Sequence, residues 1–409
     1  MTHRSQTCRF GCLLATLLCA GAVAQDTDVP LPARVITNDL ETHSARPFVI
    51  EDSHVIAWSK PTGIPTPIER ADVLAIVVGP ADSRATDSRW RDVIRRSGER
   101  SAIRGPELRL HNGHVIPGTM VARDDTIYWR HPRLGTFPID VEEVSALRLV
   151  EGVDIPRAET LDQVVLANGD SIEGLILELA DPLPIERTIG EETTITEIPM
   201  ERVAAIALVN PPTDPTGILV WTDDGARFSV EDVLIGDDGY VRIVRPSPSA
   251  HAEVEFQGQS LRGILFDPGA VIPLASLEAQ VDVGKAKDIR HWAPPPRIAP
   301  GFWPLGAAEI ELDGPIRARW TLPEKGCTVS ARAELPIDAI HGNFELVVRD
   351  GGTEVLRRRV DRNEPVHRIL HQLTSNELEI ELEMGEGGPV QDDLLLHDAV
   401  VTLPRNEGS

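Results

Sequence analysis

Three turn signals stand at even intervals in this chain. Asn112-Gly113, Asn168-Gly169 and Asp224-Gly225 each lie between runs of alternating apolar and polar residues, and their glycines are 56 residues apart. Such a pair between such runs is the strongest short hairpin signal, expected here as a type I′ turn with positive φ at both central residues. A repeated module of this size buries only a marginal core by itself, so the copies are expected to pack on one another.

The apolar pattern agrees with the turns. Sliding residues 65–78 by 71 positions lays Ile68 on Ile139, Val73 on Val144 and Ile76 on Leu147, with Trp58 falling on Trp129. A further 59 lays Ile139 on Ile198, Val144 on Val203 and Leu147 on Ile206. Four copies follow: residues 31–79, with Asn38-Asp39 at the turn; 107–150; 161–209; and 217–278, closing at 273–277. Short strands broken by 33 prolines and 32 glycines predict an all-β protein of tandem small units, SH3-like barrels with a flat stacked meander as the alternative. Residues 80–106 interrupt the series. They are Arg-rich, and Trp90, Val93 and Ile94 share a helical face, so an inserted helix or loop with a basic side is expected, suited to docking on an acidic surface.

The Pro-rich stretch 290–304 marks a linker, after which the pattern changes. Eight β-type runs within 305–405 recur at roughly ten-residue spacing and predict a β-sandwich of jelly-roll type. Asp350-Gly351-Gly352 is its clearest hairpin.

The ends and the composition bound the function. Residues 1–24 have the form of a secretory signal: Arg4 and Arg9, an apolar stretch over 10–19, and Ala22-Val23-Ala24 as the cleavage site. Export to the periplasm or the cell exterior is expected. Leu18 before Cys19 argues against a lipid anchor, and no later run reaches the ~20 apolar residues of a membrane span. Cys8, Cys12 and Cys19 leave with the signal, so Cys327 remains alone and is expected as a small buried hydrophobe. With 40 basic against 64 acidic residues, a net charge of −24, the chain lacks the basic footprint of a nucleic-acid binder.

Two resemblances add to this reading. The copies carry Asn-Gly, then Phe137-Pro138 or Ile198-Pro199, then Val144-Ser145-Ala146-Leu147 or Val203-Ala204-Ala205-Ile206. In this they resemble repeats of exported bacterial β-proteins that end in a galactose-binding-like sandwich. Residues 303–405 are similar to the novel carbohydrate-binding module found beside glycoside hydrolases. Residues 344–360 match its strand, Asp-Gly turn and strand, 376–384 its following strand, and 391–403 its closing segment in outline. That family carries Asp-Trp near its last strand, where this chain has Leu395-Leu396. The resemblance implies a sandwich fold and a glycan as partner.

No motif for chemistry is present. Residues 258–263 lack the nucleophile-elbow spacing, and there is no H-E-x-x-H, P-loop or dinucleotide fingerprint. The expectation is a non-catalytic binding or scaffold protein of the cell envelope, its partner a glycan or an envelope protein. The alternatives are a purely structural protein and an envelope hydrolase using a carboxylate pair that 64 acids leave unassigned. His367 and His371 in a strand would stand ~13 Å apart, too far to share a metal. No cofactor is indicated. Ca²⁺ is the one ion that Asp124-Asp125, Asp223-Asp224, Asp237-Asp238 or Asp392-Asp393 could take, the last pair being best placed. Sugar stacking would fall to Phe302, Trp303, Trp320 or Phe344. Trp320 is the candidate, although its alternation with Arg319 and Thr321 favours the core. Trp320, Asp392 and Asp393 are therefore the candidate ligand-binding residues.

Overall fold

The computed structural model describes residues 33–404 except 46–47, 59–62, 79–104, 124–125, 191, 250, 283–293, 299–306, 387 and 389–390. The signal segment, the Arg-rich insertion up to Arg104, Asp124-Asp125, Phe302 and Trp303 lie outside the described residues. The described elements are strands and one-turn 3-10 helices, and no helix among them is long and apolar enough to cross a membrane.

One turn geometry recurs in the repeats. The N–H groups of Gly113, Gly169 and Gly225 donate to the carbonyls of Leu110, Leu166 and Thr222, and these glycines have φ of +81°, +90° and +88°. The Asn or Asp before each is not left-handed. This is a type I turn closed by a left-handed residue, not the type I′ turn expected. The preceding residue is selected by its side chain. Oδ1 of Asn112, Asn168 and Asp224 accepts the N–H two residues on, from His114, Asp170 and Ala226, at 3.2, 3.1 and 3.2 Å. The first copy makes the same turn one residue later than expected. Asp39 accepts from the Glu41 N–H, and Leu40 takes the glycine's place at φ +63°.

Each hairpin is completed by a closing strand: Val73–Val78, Val144–Arg148, Val203–Ala207 and Leu261–Leu265. The pairs Val73/Ile76, Val144/Leu147, Val203/Ile206 and Leu261/Ile264 are at most 2% exposed and share one core. The fourth copy therefore closes at Leu261–Leu265, not at 273–277, because Leu261–Leu265 pairs with Ile218–Thr222 of its own hairpin whereas Val271–Pro273 pairs with the sandwich strand Asp393–Thr402.

The same strands account for the absence of closed barrels. Val144–Arg148 pairs with Val203–Ala207, and Val73–Val78 with Leu261–Leu265. The hydrogen-bonding edge a barrel would need for closure is taken by a neighbouring copy. An open path of 14 strands results, running through the copies in the order three, two, four, one. The join between copies two and four is narrow, with Arg227 registered on Val115, and side chains reinforce it. Nδ1 of His131 accepts from the N–H groups of Arg133 and Leu134, so Nε2 donates to Asp224, 3.1 Å away. Arg133 donates to Asp224 at 2.5 Å and to Asp223 at 2.7 Å.

All eight strands expected in the last domain form, in two antiparallel sheets around a second core that holds Trp320 and Phe344. The sandwich also recruits residues placed earlier by sequence. Val271–Pro273 pairs with Asp393–Thr402, Ala279–Asp282 with Ile316–Thr321, and Arg297–Ile298, inside the expected linker, with Ile310–Asp313. A third core joins repeats and sandwich, with Ile36, Leu40, Leu74 and Trp221 packed with Val271, Ala307 and Val400. Arg34 of the first copy pairs with Asp398 at the bulge of Asp393–Thr402.

Candidate functional site

Three connections converge at one end of the sandwich: 314–315, 335–343, and the one between Met384 and Asp393, whose described residues 385, 391 and 392 lie there. Glycine lets their backbones touch. A Cβ on Gly342 would come within 2.5 Å of the Gln391 carbonyl oxygen, and one on Gly314 within 2.7 Å of that of Asp392. Gly314 N–H donates to the Asp392 carbonyl at 2.9 Å, and His341 N–H to Gln391 Oε1 at 2.9 Å. Gln391 is held at φ +61°, a backbone state that non-glycine residues keep only where surroundings impose it.

Asp392 sits at this mouth, 1% exposed. Its Oδ1 accepts the Asn343 N–H at 3.2 Å, while Oδ2 is buried without a hydrogen-bond partner among the described residues. Burial, aided by the neighbouring charge of Asp393, pushes its carboxyl up to about 6. Ile337 and Ile340 on the adjoining connection are 57% and 52% exposed. The mouth thus combines a carboxyl able to hold or release a proton near neutrality with a small apolar surface.

Asp393 belongs to a different environment. It begins the Asp393–Thr402 strand directly opposite Asp313. Burial and the charge of Asp313 raise its pKa. Leu312 and Leu394, their chain neighbours, face the core, so alternation turns this pair outward. Adjacent in sequence, Asp392 and Asp393 do not converge on one ion. Among the described residues, no group of three or more His, Cys, Asp or Glu is placed to hold a metal.

Trp320 is 1% exposed in the sandwich core, so it presents no face for a sugar to stack on. Phe344 and Trp129 are fully buried, the latter donating from Nε1 to the Ile116 carbonyl at 3.0 Å. Cys327 is buried, which raises its thiol pKa. His367 and His371 lie on the Val366–Gln372 strand as expected.

No family model matches this chain, and no curated protein matches it. Solved structures do. CBM51 of Clostridium perfringens GH95, in complex with methyl-galactose, aligns with a TM-score of 0.24 and 10% identity over 32% of this chain and 99% of that one. CBM51-2 with the INT domains of Clostridium perfringens ZmpB, in complex with GlcNAc, gives 0.27 and 10% over 45% of this chain and 43% of that one. An exo-beta-1,3-galactanase from Phanerochaete chrysosporium gives 0.19 and 10% over 91% and 81%. The likeness is distant.

Ile337, Ile340, Asn343 and Gln391 were not legible as site residues. The stretch 336–343 carries no strand alternation, and Gly342 before the Phe344 strand is the one mark it bears.

Proposed function

We propose that this is a non-catalytic exported protein of the cell envelope that binds a glycan at the mouth of its sandwich. The repeats serve as the scaffold that carries it. The observation that supports this is Asp392, a buried carboxyl with an unpartnered oxygen kept beside two exposed isoleucines. Buried polar atoms without partners are uncommon, and each calls for a reason. A hydroxyl-rich ligand seated on the mouth covers Ile337 and Ile340 with its apolar face, and one of its hydroxyls supplies the missing donor as the residues covering Oδ2 give way.

The test is a glycan array with the chain lacking residues 1–24, repeated with Asp392→Asn and Ile340→Asp. Binding that weakens in both variants is the expected result. A folded protein that retains no sugar, or variants that bind as well as the parent, would remove the reading.

A further inference from the structure

A cleft of about 1010 Å³ opens where copies two, three and four meet, away from the sandwich. Its apolar lining comes from Ile127, Ile139 and Val141 of copy two and Leu179 of copy three. The cleft has a marked excess of acceptors. Asp140, Glu143 and Glu178 line it as exposed carboxylates, and none has an ion-pair partner among the described residues. On the facing wall Arg245 pairs with Glu231 at 2.8 Å, and the His251 ring packs over Gly135. Pro138, Pro246 and Pro248 also line the cleft, and proline has no backbone N–H to offer.

From this we infer that the cleft docks an extended, basic segment of a partner protein, its arginines or lysines meeting Asp140, Glu143 and Glu178 and an apolar side chain meeting Ile139 and Leu179. The arrangement asks for a ligand rich in donors and positive charge. Main-chain N–H groups and guanidinium or ammonium heads supply both, and an aliphatic anchor matches the floor. The wall contributed by copy four carries the main-chain bend at Arg245, a non-glycine residue held at φ +45°. Strain of this kind persists where a fixed local shape is imposed by its surroundings. The site exists only through the copy order three, two, four, so it belongs to the assembled array and to no single repeat.

The probe is a labelled nonapeptide of alternating arginine and valine, titrated into the chain lacking residues 1–24 at low and at physiological salt. Binding that weakens as salt rises is expected. It should fall at least tenfold in Asp140→Asn/Glu143→Gln/Glu178→Gln and stay unchanged in the charge-matched control Glu51→Gln/Glu324→Gln/Glu364→Gln. Replacing valine by serine in the peptide should also weaken it. Equal loss in the control would reduce the effect to net charge and overturn the proposal. So would equal binding of the serine peptide, no binding at millimolar concentration, or displacement by Ca²⁺ but not by sodium chloride of the same ionic strength, which would make the occupant a cation.

Discussion

Arg368, on the sandwich, donates its guanidinium N–H to the carbonyl oxygen of Leu40, at the turn of the first repeat. Leu40 occupies the position that glycine holds in the other three hairpins, at φ +63° and 1% exposed. A left-handed leucine costs roughly 1–2 kcal/mol. Its side chain repays that by filling the core shared with Trp221 and Val400. Leu40→Gly is expected to relieve the strain yet lower stability by about 1–3 kcal/mol, since removing a buried leucine costs about 2–5 kcal/mol. Urea unfolding checks this. Gly169→Ala is the contrast: nothing lies within 4 Å of its added carbon, so backbone strain alone should cost ~1 kcal/mol.

Asp392→Asn should stabilise the protein at pH 7. The carboxyl is raised to about 6, so its neutral form is favoured in the fold. Its contribution is complete below the unfolded value near 4 and is lost as pH rises through about 6. Asparagine keeps the acceptor for the Asn343 N–H without the charge. A gain of about 1–2 kcal/mol at neutral pH, vanishing below pH ~4, is expected from paired urea melts.

His114 works in the opposite sense. Burial first, and then the charges of Arg227 and His111, lower its pKa to about 4. Nε2 accepts the Ser229 N–H at 3.2 Å and Nδ1 is buried without a partner among the described residues, so protonation has no place at this join between copies two and four. The join is at full strength above the unfolded value near 6.5 and loses up to about 3 kcal/mol as pH falls towards 4. The difference in urea midpoint between His114→Gln and the parent should shrink over that range. A constant difference would count against it.

Arg349 donates to Glu379 at 2.6 Å and to Glu381 at 2.5 Å, two carboxylates 4% and 1% exposed. Arg349→Met strips a cation from buried charges and should cost about 3 kcal/mol. Arg357, whose side chain is 35% exposed, pairs with Glu354 at 2.7 Å and Glu383 at 2.9 Å. Arg357→Met should cost under about 1 kcal/mol, because water already screens that pair. Thermal melts of both variants decide between these magnitudes.

The local grammar of this chain is written in its residues. Turn positions, strand existence and the buried sets from Val73/Ile76 to Val203/Ile206 follow from alternation and from the few residues able to make each turn, and these are short-range properties. The pattern Phe256, Leu261, Ile264 carried the same information for copy four. Leu40 shows the limit: a leucine signals no left-handed turn, and it stands there only because the sandwich covers it.

Which edge meets which edge was decided in three dimensions. Val144–Arg148 could close its own sheet or join Val203–Ala207, and both use the same N–H and C=O groups, so only the packing of whole copies selects between them. The split of Asp392 from Asp393 and the cleft between copies arise in the same way. Each depends on contacts between residues far apart in the chain, which local pattern does not encode.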